Sequence, residues 1–306
     1  MSRRAGPVAR SHVLVGFGYA FGAYLLYAVG DAAAKWLVGS LPIWQVLFLR
    51  SVLGLLLCLA LGGRAAVRAL AQLPRSGHLI GMNLANFGGW VAYYAAAVSL
   101  PLPQLYTSYY LSPILAALLA GPMLRERIAP LHWIAAALGF LGVLITISPF
   151  GGTAPALLPA LLGVGAAALW ALSAVLYRRN VHGNSNLELL VFSNITIGGL
   201  SAIPLAFTWQ PLDLHQGAIL LVVGVAALGA HFLYINGVRR VAVGAMAPVV
   251  FFSLIWSALL GYLIWGDVPS HSLMEGGACI LLAGLVVVAV QWRDSRPGPS
   301  PSRTAP

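Results

Sequence analysis

The stretch WVAYYAAAVSLPLPQLYTSYYLSPILAALLAGPMLRE, Trp90 to Glu126, can be laid without a gap over HFLYINGVRRVAVGAMAPVVFFSLIWSALLGYLIWGD, His231 to Asp267. The offset of 141 residues places Tyr93 on Tyr234, Ser112 on Ser253, Ile114 on Ile255, Ala117-Leu118-Leu119 on Ala258-Leu259-Leu260 and Glu126 on Asp267. A shift of 143 relates the opening segments, with Tyr27 on Trp170 and Lys35 on Arg178. Self-similarity at a nearly fixed offset points to two copies of one structural unit.

Composition says what kind of unit it is. The sequence is 60% hydrophobic and only 8% charged, with a mean hydropathy of +0.88, whereas soluble domains carry about a quarter charged residues. Ten apolar windows long enough to cross the hydrocarbon core lie at about 13–36, 42–61, 78–98, 104–123, 131–148, 157–177, 188–207, 217–237, 244–265 and 272–292. The connections are short and leave no room for a sizeable soluble domain. The expected fold is therefore all-α and integral to the membrane. Its parts are an N-terminal segment 1–12, a first five-helix repeat 13–150, a second 155–292, and a Pro- and Ser-rich tail 293–306 that reads as disordered. The apolar run after Arg3, Arg4 and Arg10 is longer than a signal-peptide core, and the repeat needs it as a permanent helix.

The net charge of +10 does not describe a nucleic-acid-binding patch. With the N-terminus cytoplasmic, fifteen of the seventeen Lys and Arg residues fall on the cytoplasmic side, from Arg3 and Arg4 through Arg64, Arg125, Arg178 and Arg239 to Arg303. The opposite loops contain none. This positive-inside bias expects an even helix number with both the N-terminus and the C-terminus cytoplasmic. Each half then has five helices, an odd number, so the second half enters the membrane from the opposite face. Ten transmembrane helices as two inverted repeats are a common basis for alternating access to a midplane site.

Lys35 and Arg50 are the two basic residues left over, and they accompany Asp31 inside apolar segments. A charge in hydrocarbon costs at least a few kcal/mol, so it persists where it is paired or faces a wet cavity. Asp31 and Lys35 are spaced i,i+4 on the first helix. At 1.5 Å per residue Asp31 lies about 8–10 Å and Arg50 about 12–14 Å below the far surface. The expectation is that Asp31 accepts from Arg50 and joins helices 1 and 2, with Lys35 near the outer mouth. Two uses of these charges remain open: a structural staple, or a charge network for a substrate ammonium or a proton.

Polar and aromatic residues recur at helical spacing around these charges, on one face of helices 1, 3, 4, 6 and 8. The candidate substrate-binding set is Tyr27, Asn86, Trp90, Tyr93, Tyr106 and Tyr110 in the first half, with Trp170, His231 and Tyr234 in the second. Aromatic walls with a few fixed hydrogen-bonding groups suit a flat or amphipathic organic solute and attract a cation. Pro113 and Pro248 are expected to interrupt the paired helices 4 and 9. Cys58 and Cys279 each sit within an apolar segment, so neither a disulfide nor a metal pair is indicated, and no cofactor is expected.

Several local motifs accompany this topology: D-x-x-x-K at Asp31 and Lys35, L-P-x-x-Q-x-x-F-x-R from Leu41 to Arg50, and L-R-E-R from Leu124 to Arg127. With them, residues 13–292 resemble the drug/metabolite transporter superfamily, EamA type. The D-x-x-x-K followed by F-x-R is also similar to a bacterial subgroup containing S-adenosylmethionine uptake carriers. The resemblance implies a secondary transporter of a small organic metabolite in a bacterial-type inner membrane. Within that superfamily substrates range over amino acids, nucleotide-sugars, vitamins, cofactors and drugs. Cavity chemistry favours an aromatic or amphipathic amino-acid-like solute, followed by a cationic cofactor such as S-adenosylmethionine, then a riboflavin-type vitamin. No G-x-x-x-x-G-K-[ST] phosphate loop is present to use ATP. A membrane-embedded enzyme is disfavoured by the lack of an H-E-x-x-H pair, a second intramembrane aspartate and a G-x-S-x-G elbow. Proton coupling through Asp31 or His231 and facilitated diffusion are both compatible with the residues, and the sequence sets no oligomeric state.

Overall fold

The computed structural model describes residues 7–71, 77–124, 130–147, 157–180, 185–238, 252–268 and 270–294, which form helices and short connections, with no strand among them. The first half contains α1 (Pro7–Val38), α2 (Ile43–Ala71), α3 (Gly77–Ala97), α4 (Leu102–Tyr109), α5 (Leu111–Leu124) and α6 (Pro130–Ile147). The second half contains α7 (Leu157–Asn180), α8 (Asn186–Thr208), α9 (Leu214–Val238), α10 (Phe252–Trp265) and α11 (His271–Asp294). Three of these, Ile43–Ala71, Leu157–Leu176 and Leu187–Thr208, are long and apolar enough by length and composition to cross a membrane, and shorter apolar stretches run Trp133–Thr146, Leu214–Ala230, Ser253–Trp265 and His271–Val286. Side chains such as Leu61, Leu144, Leu158, Ile203 and Phe207 point outward and are exposed. In water that surface would aggregate; in a bilayer it is ordinary lipid contact.

Local sequence explains the departures from straight helices. The fourth apolar window is split into α4 and α5 at Tyr110 (φ −68°, ψ −8°). Pro113, three residues on, has no N–H to give the carbonyl of Tyr109, so the ladder is weakest there. The α2 helix breaks at Gly63 (φ 50°, ψ −128°), a conformation that favours glycine. Residues 43–62 before the break extend about 30 Å, the hydrocarbon thickness, and Arg64 and Arg68 follow it. The α11 helix runs to Asp294, past the expected boundary at 292. Pro248, the Arg125 to Arg127 part of the L-R-E-R turn, residues 1–6 and the tail from 295 lie outside the described residues.

Helix pairing follows the repeat. The most extensive packing joins α1 to α9, α3 to α7, α2 to α8 and α6 to α11, and α4 meets α10. Exchanging the halves turns the α1–α9 pair into the α7–α3 pair and returns α2–α8 and α6–α11 to themselves, as a two-fold relation requires. Small residues bring these helices close, as in membrane bundles generally. A Cβ on Gly22 would touch Leu233 at 3.1 Å and one on Gly229 would touch Leu26 at 3.0 Å, both across the α1–α9 seam. At the mouth between α2 and α8, the buried Gln45 donates to the carbonyl of Gln210 (2.7 Å) and accepts from its N–H (2.9 Å), tying the two halves with a paired amide contact.

Candidate functional site

A cavity of about 400 Å³ opens between α1, α3, α4 and α7. Tyr27 and Asp31 of α1, Trp90 and Tyr93 of α3, Tyr106 and Tyr109 of α4 and Trp170 of α7 contribute to its wall, and Ser112 and Ser253, equivalent positions of the two repeats, close one side. The rings support each other edge to face. Trp170 lies 5.1 Å from Trp90 (76°), 5.1 Å from Tyr93 and 5.4 Å from Tyr109 (82°), centroid to centroid. Such contacts stabilise by about 0.5–1.5 kcal/mol beyond area and hold the wall in shape.

Trp170 can approach α3 closely because Gly89 has no side chain: a Cβ there would stand 2.7 Å from the indole Nε1 and 2.8 Å from Cδ1. Gly89→Ala should therefore swing Trp170 into the cavity. Alanine is the better helix former, so the fold should be retained. The expected result is about tenfold weaker solute binding, a loss of roughly 1.4 kcal/mol, with a modestly lowered melting temperature in the absence of ligand as Trp170 leaves its ring contacts. Ligand titration by thermal shift measures both.

Asp31 reaches this cavity and accepts a hydrogen bond from the Tyr106 hydroxyl at 2.6 Å, with the Tyr93 hydroxyl close by. Arg50 takes different partners. Its guanidinium stacks 3.8 Å from the centroid of Trp90 and its Nη1 donates to the Tyr94 hydroxyl at 2.7 Å. Among the described residues no ion pair joins Asp31 to Arg50, contrary to the expectation from their depths. Depth along the two helix axes does not fix which side chains meet, and here the Tyr106 phenol of α4 and the Tyr94 phenol of α3 take up the two charges separately. Both charges line a second cavity of about 240 Å³ between α1, α2, α8 and α9. Tyr27, Asp31 and Trp90 line both cavities and so form the partition.

Lys35 belongs to neither lining. Its ammonium donates to the carbonyls of Ala97 (3.1 Å) and Leu100 at the C-terminal end of α3, and lies 5.2 Å from the centroid of Trp265. A cation on the last carbonyls of a helix is favoured by their unsatisfied lone pairs and by the helix dipole. Lys35 thus joins both halves at one end of the bundle.

Of the other sequence-derived candidates, Tyr27, Trp90, Tyr93, Tyr106 and Trp170 converge on the larger cavity. Asn86 lines neither cavity and donates to Ser193 on α8 at 3.0 Å, linking helices. Tyr110 is 2% exposed and shares a hydrogen bond with Ser253, standing behind the wall as a support for it. The α9 backbone carries His231 and Tyr234, whose side chains lie outside the described residues. Five wall residues stand outside the candidate set: Tyr24, Tyr109, Ser112, Ala174 and Ser253. Tyr24 is one turn before Tyr27 and Tyr109 one turn after Tyr106, so helical spacing flags both, and the register of Ser112 with Ser253 in the repeat flags the serines.

Two segments of the chain, residues 14–148 and 157–290, match the EamA-like transporter family. The chain belongs to that family. Its relatives include the pseudopaline exporter CntI of Pseudomonas aeruginosa (strain UCBPP-PA14), 26% identical over 84% of this chain and 90% of the relative. A riboflavin transporter of Vibrio cholerae is 24% identical over 94% of this EamA-like chain and 96% of its own. An S-adenosylmethionine uptake transporter of Rickettsia bellii is 24% identical over 90% and 93%. One crystal structure superposes with a TM-score of 0.63 at 23% identity, covering 94% of this chain and 99% of that one, and that likeness speaks to fold alone. This EamA-like protein is accordingly a multi-pass membrane transporter of the drug/metabolite transporter superfamily, with a small molecule as its substrate.

Proposed function

We propose that the chain is a secondary transporter working by alternating access, with the aromatic cavity around Asp31 as its solute site. The solute is an aromatic or amphipathic molecule of amino-acid type, and the membrane is a bacterial-type inner membrane. Ten spanning segments, α4 and α5 together forming the fourth, make two inverted halves at 13–150 and 155–292. Both ends of the chain are cytoplasmic. The half-exchange symmetry of the helix pairing supports the inverted arrangement, and the one-sided distribution of Arg supports the orientation.

The observation that carries the solute reading is a single carboxylate, Asp31, set in a wall of tyrosine and tryptophan rings. The rings offer flat apolar surface to an aromatic or aliphatic body, and the carboxylate with the surrounding π-faces favours a cationic end. S-adenosylmethionine, which has a sulfonium and a flat base, fits the same description, and a relative carries that name. A flavin uses the rings without the charge.

Thermal unfolding of the detergent-purified protein against aromatic amino acids, S-adenosylmethionine, riboflavin, purines and polyamines tests the reading. A true ligand at about 100 times its Kd adds roughly 2.7 kcal/mol of stability. Stabilisation by one of the amino-acid-type compounds, lost in Trp90→Ala, is the expected result. Stabilisation only by riboflavin or by a polyamine would replace the solute class, and a ligand effect untouched by Trp90→Ala would move the site elsewhere.

A further inference from the structure

The geometry points to the smaller cavity, lined by Arg50 and Asp31 together, as a head-group subsite that reads a zwitterionic α-amino-acid moiety, ammonium on Asp31 and carboxylate on Arg50. This rests on the reading of the larger cavity as the solute site.

Three observations lead there. Two opposite charges in one low-dielectric cavity would ordinarily neutralise each other, yet here each is held by a neutral phenol, Asp31 by Tyr106 and Arg50 by Tyr94. The separated pair is a fixed dipole, and the ligand that complements it carries both signs. Next, Arg50 is oriented but not saturated. Stacking on Trp90 fixes the guanidinium plane, and Tyr94 is its one hydrogen-bond partner among the described residues. A guanidinium has five N–H donors in a planar fork, so donors remain for a carboxylate. Finally, the partition is shared. Trp90, Tyr27 and Asp31 line both cavities, so a ligand with its head between Asp31 and Arg50 has its body beside the aromatic wall. The rest of the smaller cavity is mostly apolar, including Leu57, Ile197 and Val223, with Ser193 and Asn194 as neutral polar groups, and offers no competing charge.

The subsite separates the solute classes that the larger cavity accepts alike. Amino acids and S-adenosylmethionine contain the head group; a flavin and a simple amine do not.

The test is a set of thermal-shift titrations of the full chain with tryptophan, tryptamine (no carboxylate) and indole-3-propionate (no ammonium), alongside S-adenosylmethionine, its decarboxylated form and riboflavin. The wild-type protein should bind at least one zwitterion about tenfold or more tighter than its decarboxylated partner. Arg50→Gln should erase that preference by weakening the zwitterion alone, and Asp31→Asn should erase the preference for tryptophan over indole-3-propionate if tryptophan is the zwitterion bound. A structural role for Arg50 would instead weaken both members of a pair and leave their ratio intact, which overturns the assignment. Equal binding of amine and zwitterion by the wild-type protein does the same, and needs no variant to fold. Binding of riboflavin with none of the zwitterions overturns the head-group subsite while the aromatic solute site stands. Binding of none of the six overturns both.

Discussion

Replacing Asp31 by Asn is expected to cut solute flux through the reconstituted protein by about 10- to 100-fold while leaving it folded. Asparagine keeps the size and still accepts from Tyr106, whose hydroxyl meets Asp31 at 2.6 Å. What it removes is the negative charge opposite the solute's cationic end. Hydrogen bonds to charged groups are worth about 1.5–3 kcal/mol, which corresponds to the expected range. Initial rates and an unliganded melting temperature, measured on the same preparation, separate the two effects. A variant that melts like the wild type and still transports at full rate would remove Asp31 from the mechanism.

The second large effect concerns the fold. The α6 and α11 helices touch backbone to backbone at Gly276: a Cβ there would overlap the carbonyl of Gly142 and the hydroxyl of Thr146. Backbone cannot rotate away, so the helices must part. Gly276→Ala is expected to destabilise by about 1–3 kcal/mol, the usual cost of overpacking. The neighbouring Gly277 is the control. A Cβ there would meet Leu254 at 3.5 Å, an ordinary contact, and Gly277→Ala should be neutral or slightly stabilising through helix propensity. Equal melting temperatures for the two variants would contradict the close seam.

Much of this architecture was legible in the sequence because hydropathy and the repeat act along the chain. Apolar length marks where helices lie, and most described helices overlap their expected windows closely; α1 begins earlier, at Pro7, α2 continues past its window to Ala71, and the fourth window is split into α4 and α5. The 141-residue register put Ser112 opposite Ser253, and the structure sets both on one cavity. Helical spacing likewise gathered Trp90 with Tyr93 and Tyr106 with Tyr109.

Partner choice across helices was not legible. Depth says how far a residue lies from the surface and nothing about helix rotation. Asp31 therefore looked destined for Arg50, when the α4 segment ahead of the Tyr110 break aims Tyr106 at it instead. Asn86 shows the same limit. It is one turn from Trp90 on a broad face, yet the part of that face carrying Asn86 turns to Ser193 of α8 and the part carrying Trp90 turns to the cavity. Lys35 meets carbonyls at the end of α3. Backbone acceptors leave no trace in residue identity, so only the fold could reveal them.

The most direct test of the central claim, that solute passes through the cavity around Asp31, is counterflow into vesicles containing only the purified protein. Vesicles preloaded with the unlabelled ligand identified by thermal shift receive a trace of labelled ligand outside, with no ion gradient imposed. The account predicts transient accumulation of label in wild-type vesicles and its loss in Asp31→Asn and Trp90→Ala vesicles. Label entering equally in all three, or binding without any entry in the wild type, would contradict it.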